Sequence, residues 1–146
     1  LRELFPKGTD ARKAIKMWHF MLGLSVLGFA VLRLLIRLRN PTPAIIPAPP
    51  AWQALLANVM HIALYGLMIG MPLAGWLILS GEGQTIPFFG LELPPLIAPD
   101  KALAKSIEEL HETAGLVGYY LIGLHALAGL YHHYFVKDNT LKRMLP

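Results

Sequence analysis

The sequence predicts an all-α transmembrane helix bundle, and three features predict it. Hydrophobic residues make up 55% of the 146-residue chain and charged residues only 15%, with a mean hydropathy of +0.49. A soluble domain carries about a quarter charged residues. The apolar residues collect in three stretches, each long enough to cross the ~30 Å hydrocarbon core of a bilayer as a helix. The connections between them are rich in proline and turn residues, which end helices. The length suits a single domain, residues 1–146, in which three spans and their loops take up nearly all of the chain.

The first span runs from about Met17 to Arg37, MWHFMLGLSVLGFAVLRLLIR. The second runs from about Leu55 to Leu79, LLANVMHIALYGLMIGMPLAGWLIL, and the third from about Ile107 to Phe135. Apolar residues surround each axis, so none reads as the one-faced helix of a soluble protein. Pro72 falls inside the second span and is expected to kink it, a distortion that neighbouring membrane helices absorb. Glycines recur along all three spans, among them Gly23, Gly75, Gly115 and Gly118. Small residues let helices approach closely, and they leave room where a flat ligand must lie.

Residues 40–52, NPTPAIIPAPPAW, hold five prolines and predict an extended surface connection. Residues 80–106 form the longer connection, expected to lie over the membrane surface with Phe88, Phe89 and Leu91 turned inward. The opening LRELFP is too short and too charged for the apolar core of a secretory signal. The cysteine count is zero. That excludes disulfides, thiolate catalysis, iron–sulfur clusters, cysteine-bound zinc and haem attached through Cys-x-x-Cys-His in this chain.

Basic residues set the expected orientation. Arg33, Arg37 and Arg39 close the first span, and Lys137, Lys142 and Arg143 follow the third. If the spans alternate, those two ends share the cytoplasmic side. The opposite face carries Lys7, Arg12, Lys13, Lys16, Lys101 and Lys105, so the bias rests on the arginines that abut the apolar core.

The six histidines then fall into layers. His19 opens the first span and His111 the third, both at the outer end. His61, His125 and the His132-His133 pair lie toward the inner end. His111 and His125 are 14 residues apart on one segment, about 21 Å along a helix and within roughly 40° of one face. Two imidazoles on one stripe, most of a membrane apart, suit two stacked haems held in a helix bundle. His19 and His111 share a depth on different helices, as two axial ligands of one haem require. The alternative is a set of bundle-facing histidines bonded to neighbouring helices, although ionisable residues inside membranes are rare and usually functional.

The stretch LHETAGLVGYYLIGLHALAGLYHHYFVKDNTLKRMLP, with RLLIRLRNPTPAIIP upstream, strongly resembles the bacterial cytochrome b561 family, and most of all its single-subunit branch. The resemblance runs from Phe5-Pro6 to Pro146. It implies four membrane helices and two b haems, with this chain matching the second to fourth helices and LRELFP resembling the end of the first. It further implies that His19 and His111 ligate the outer haem and that His125 supplies one ligand of the inner haem. The other inner ligand would be a histidine N-terminal to residue 1. The implied activity is oxidation of superoxide at the periplasmic face, with ubiquinone as electron acceptor, in a multi-pass protein of the bacterial inner membrane.

The remaining polar residues find roles in that scheme. Arg33 and Arg37 are candidates to neutralise haem propionates, since guanidinium pairs well with carboxylate; the alternative is ordinary interfacial anchoring. His132, His61 and His133 are candidates for a quinone site, where carbonyl oxygens need hydrogen-bond donors and a proton supply. Arg12, Lys13 and Lys16 precede His19 by one to two turns and are candidates for a positive funnel that draws in superoxide, a small anion. Their alternative is contact with lipid phosphates. The lipid membrane, ubiquinone and superoxide are thus the expected partners. Nothing in the charge pattern calls for nucleic acid, and no protein partner is required. Two other functions compete: an electron-transfer subunit serving a dehydrogenase or hydrogenase, and a non-redox protein whose histidines bind a metal.

Overall fold

Each apolar stretch folds as a helix, and each helix outruns its apolar core. The computed structural model describes residues 6, 9–41 and 43–142; Lys7 and Arg143 lie outside them. Helix α1 spans Asp10–Arg39, α2 Ala51–Gly81 and α3 Lys101–Tyr131, the last continued by one π turn, His132–Val136. A two-stranded antiparallel hairpin, β1 (Ile86–Phe88) and β2 (Leu91–Leu93), joins α2 to α3. All three helices are long and apolar enough to cross a membrane.

The helix ends explain why α1 begins before Met17 and α3 before Ile107. The Thr9 side chain accepts a hydrogen bond from the Arg12 backbone N–H at 3.4 Å, and the Asp100 carboxylate accepts one from Leu103 at 3.0 Å. Such caps stabilise a helix start by about 1 kcal/mol each and let polar turns grow out of the apolar core. At the far end of α1, the Asn40 side-chain amide donates to the Ile36 carbonyl at 2.7 Å. Arg37 and Arg39 occupy the last turn, where cations oppose the negative end of the helix dipole.

Both α1 and α3 pack on α2, but among the described residues they do not pack on each other. A groove therefore runs between α1 and α3 with α2 as its back wall. Their outward faces are bare: Phe29, Ile62 and Tyr119 are 72%, 72% and 78% exposed. On a soluble protein such faces promote aggregation; in a bilayer they meet lipid, while each helix satisfies its own backbone.

The well-buried core is small and sits at the outer end. Leu79, Ile86 and Ala104 are each 2% exposed. The Ser80 hydroxyl donates to the Trp76 carbonyl at 2.8 Å and accepts from the Leu96 N–H at 3.0 Å, and the Trp76 indole donates to the Pro94 carbonyl at 3.0 Å. This network straps the long connection to the end of α2. Within that connection Ile86 is buried, Phe88 is half-buried, and Phe89 and Leu91 are exposed. The hairpin reverses at Phe89-Gly90, with φ of +48° and +86°. That is the pair of left-handed residues a tight hairpin turn needs. Phe89 is costly in this conformation. Its N–H meets the Met21 sulfur at 3.4 Å and its ring meets Trp18 edge-on at 6.4 Å, which holds the turn against α1.

At Gly81 the α2 backbone packs tightly against the start of α3. A Cβ there would stand 2.9 Å from both the Ala104 Cβ and the Asp100 carbonyl oxygen. Gly81→Ala should therefore destabilise the protein by about 1–3 kcal/mol, the usual cost of overpacking. A lowered thermal midpoint in detergent checks this, and an unchanged midpoint counts against such close packing.

Candidate functional site

The outer ends of the three helices build one cleft. It is lined by His19, Phe20, Gly23 and Leu24 of α1, Met71, Pro72, Gly75, Trp76 and Leu79 of α2, Ile86 of the hairpin and His111 of α3. Two imidazoles stand among walls that are otherwise apolar. His19 and His111 face each other across the groove with ring centroids 6.1 Å apart and planes at 83°. Two imidazoles on opposite sides of one metal ion, each bound through a nitrogen about 2 Å away, have centroids about 6.3 Å apart. The pair is spaced for a shared metal and is too wide for a direct hydrogen bond between the rings.

A second observation points the same way. The His111 Nδ1 is buried without a hydrogen-bond partner. The Met71 carbonyl lies beside the ring as the nearest acceptor. A buried unpaired nitrogen costs about 1–3 kcal/mol, which ligation of a metal and a small shift toward an acceptor would relieve. Gly75 lies against the ring's flank, where a Cβ would make ordinary van der Waals contact, 3.8 Å from the His111 Cε1. A Cβ at Gly23 would meet nothing within 4 Å, so the α1 side of the cleft is open. Among the described residues no group of three or more His, Asp or Glu converges. Two opposed imidazoles in an apolar slot between helices fit a flat macrocycle that supplies the remaining ligands itself.

The basic residues above this cleft differ in their surroundings. Lys16 places its ammonium 5.5 Å from the centroid of the Phe20 ring, a wall of the cleft, and 3.4 Å from the Gln84 amide oxygen. Its partners are neutral, so its charge is not cancelled by them. Lys13 pairs with Asp10 at 3.2 Å, and Lys105 with Glu108 at 3.0 Å, which weakens the field they project. Arg12 sits in the first turn of α1 beside its Thr9 cap.

At the inner end the structure brings His61 of α2 against His125 of α3, with centroids 5.5 Å apart and planes at 72°. Arg37 and Arg33 lie within electrostatic reach of His61. The Arg37 guanidinium also stands 5.8 Å from the centroid of the Tyr65 ring. Tyr65, one turn after His61 on α2, was not a sequence candidate; a second polar ring at i+4 was the available signal. The inner cluster thus comprises His61, His125, Arg33, Arg37 and Tyr65.

His132 turns elsewhere. Its Nδ1 meets the Asp138 carboxylate at 2.5 Å, and the Asp138 residue is 4% exposed. The Thr140 backbone N–H donates to the other carboxylate oxygen at 2.8 Å. Asn139 stitches the same turn to the α1–α2 connection. Its side-chain oxygen accepts from the Ile46 N–H at 2.8 Å, and its own N–H donates to the Ile46 carbonyl at 3.1 Å. Sequence reading missed Asp138 and Asn139, although an acid six residues after a candidate histidine was a usable signal. His133 packs edge-on against Tyr134 at 4.8 Å and does not join the His132–Asp138 pair.

A membrane helix bundle with opposed imidazoles in an apolar interhelical slot is the architecture of a haem-binding membrane cytochrome. The chain belongs to the prokaryotic cytochrome b561 family, whose model matches residues 2–146. It is 40% identical over 146 residues to cytochrome b561 homolog 1 of Escherichia coli strain K12, covering 100% of this chain and 83% of that protein. It is 42% identical over 132 residues to the probable superoxide oxidase CybB of Yersinia pestis, covering 90% of this chain and 75% of that protein. Cytochrome b561 homolog 2 of E. coli strain K12 is 33% identical over 128 residues, covering 87% and 68%. The family implies b-type haem, electron transfer and residence in a membrane.

Proposed function

We propose that this chain is a dihaem superoxide:quinone oxidoreductase of the bacterial inner membrane. It oxidises superoxide at its periplasmic face and reduces ubiquinone at its cytoplasmic side. The observation that carries the reading is the His19–His111 pair, spaced for one metal in an apolar cleft with the Lys16 ammonium at its wall. The likeness to a relative named as a probable superoxide oxidase supports the choice of substrate.

Haem b, when bound, supplies one-electron chemistry that no side chain of this protein offers. His19 and His111 would hold the outer haem, and His125 would hold the inner one with a ligand from outside the described residues. Arg33 and Arg37 would pair with propionates near the inner cluster. Lys16 attracts the superoxide anion to the cleft, assisted by Arg12 and Lys13. His132, with His61 and His133 as further candidates, donates to the quinone at the inner side. Each superoxide gives up one electron and leaves as dioxygen, so two of them and two protons convert one quinone to quinol.

Stopped-flow mixing of the oxidised, haem-loaded protein with superoxide tests the proposal. Haem reduction should be fast at low salt and should slow as ionic strength rises, because the Debye length shrinks to about 8 Å near physiological salt. Replacing Arg12, Lys13 and Lys16 together with glutamine should slow reduction about tenfold, within the range of electrostatic steering, without loss of haem. Reduction that is slow in the unaltered protein, or indifferent to both salt and the substitutions, favours instead an electron-transfer subunit serving a dehydrogenase or hydrogenase.

A further inference from the structure

The turn that follows α3 holds a buried carboxylate that the haem ligands do not use. Asp138 is 4% exposed, and its two oxygens divide their work. One accepts from the Thr140 backbone N–H at 2.8 Å, and the other meets the His132 Nδ1 at 2.5 Å. The turn is also fixed from outside, because Asn139 binds the backbone of Ile46 in both directions. Lys137, with φ of +59°, occupies the left-handed region between the π turn and Asp138. A non-glycine residue held there adopts a costly conformation, and it folds the chain back so that Asp138 reaches a histidine six positions earlier.

We infer that Asp138 is a positioning residue for proton delivery to the quinone, holding His132 with Nδ1–H on the carboxylate so that Nε2 is the nitrogen that exchanges protons. This rests on the reading of His132 as a quinone contact. A histidine has two nitrogens, and which one carries the exchangeable proton is set by the partner of the other. A carboxylate on Nδ1–H also leaves Nε2 as the nitrogen through which a proton passes on. Asp138 is suited to this. Burial pushes its carboxyl up, but hydrogen bonds from His132 and Thr140 outweigh that and leave it below the ordinary carboxylate range. It is therefore ionised at neutral pH.

The proton step balances simply. The Nε2–H bond of the imidazolium breaks and an O–H bond forms on one quinone oxygen. The two electrons come from two superoxide anions, oxidised to dioxygen. Neutral His132 keeps its Nδ1–H on Asp138 and regains a proton at Nε2 from cytoplasmic water. The step delivers one of the two protons that quinol formation needs.

The test pre-reduces the haem-loaded protein in detergent and follows its single-turnover oxidation by a short-chain ubiquinone across a concentration series. In Asp138→Asn the amide oxygen still accepts, but the charge is gone. The limiting rate should fall about 100-fold, the low end of what a positioned acid–base group contributes, while the half-saturating quinone concentration changes less than about threefold. Asp138→Glu keeps the charge and should recover most of the rate. Imidazole ¹⁵N NMR should show His132 as the Nδ1–H form in the unaltered protein and as a mixture of tautomers in Asp138→Asn. His132→Gln should be as slow as Asp138→Asn, and the double variant no slower than either single one. A slow His132→Gln beside a normal Asp138→Asn overturns the positioning role alone. Asp138→Glu as slow as Asp138→Asn does the same, and it decides the matter if the asparagine variant does not fold. A normal His132→Gln overturns the quinone contact and the inference with it.

Discussion

Replacing either His19 or His111 by alanine should remove the same haem. In the proposed arrangement these two rings, 6.1 Å apart across the cleft, would together hold one iron, so each substitution would remove one of its two protein ligands. Under the dihaem reading, haem per chain should fall by roughly half, with the same absorption band lost in both variants. The pair should behave as a unit: the double substitution removes no more haem than either single one. His111→Gly opens space that free imidazole can fill, because the ring sits in a slot flanked by Gly75 and stands against apolar walls. Added imidazole should therefore restore the lost band in His111→Gly. A reduced-minus-oxidised spectrum with haem quantitation makes the measurement. Full haem content in one single variant, or loss of different bands in the two, removes the shared-iron assignment.

The sequence made some of this visible and hid the rest, for physical reasons. Three helices were readable because crossing a bilayer demands about 20 apolar residues in a row, a signal that no short turn imitates. The outer ends were placed late because the first turns of α1 and α3 are polar. Their caps, Thr9 before Asp10 and Asp100 before Lys101, are visible in the sequence to a reader seeking helix starts rather than hydrophobicity. The depth of His19 and His111 followed from alternation alone, since antiparallel neighbours return to the same surface. The hairpin was less accessible. Phe89-Gly90 lacks the usual asparagine or aspartate at its first position, and contacts with Met21 and Trp18 hold Phe89 in place. No local pattern carries contacts so distant in the chain. The same limit hid the pairing of His132 with Asp138, which depends on a π turn and a left-handed Lys137. Neither the extra residue per turn nor the reversal has a strong sequence signature.

His125→Ala should lose one haem from the protein expressed from its natural gene, whereas His61→Ala should keep the full complement. The two rings are neighbours, and their spacing is the basis of the expectation. Their centroids are 5.5 Å apart, against about 6.3 Å for two imidazoles on opposite sides of one iron. That shortfall is several times the 0.2 Å separating the outer pair from the same value. At 5.5 Å the rings stand too close for imidazoles on opposite sides of one iron. His125 can then offer an iron the side of its ring that His61 does not cover, with the opposite ligand arriving from beyond the described residues. His61 has His125, Arg33 and Arg37 within electrostatic reach, and Arg37 also stands beside Tyr65. Loss of His61 should shift the inner haem's band or potential without emptying the site, because contacts around a ligand tune a metal more than they retain it. Haem quantitation on the two variants decides between these roles. If His61→Ala loses a haem as completely as His125→Ala does, the two rings are themselves the axial pair, and they must separate by close to an ångström when the iron binds.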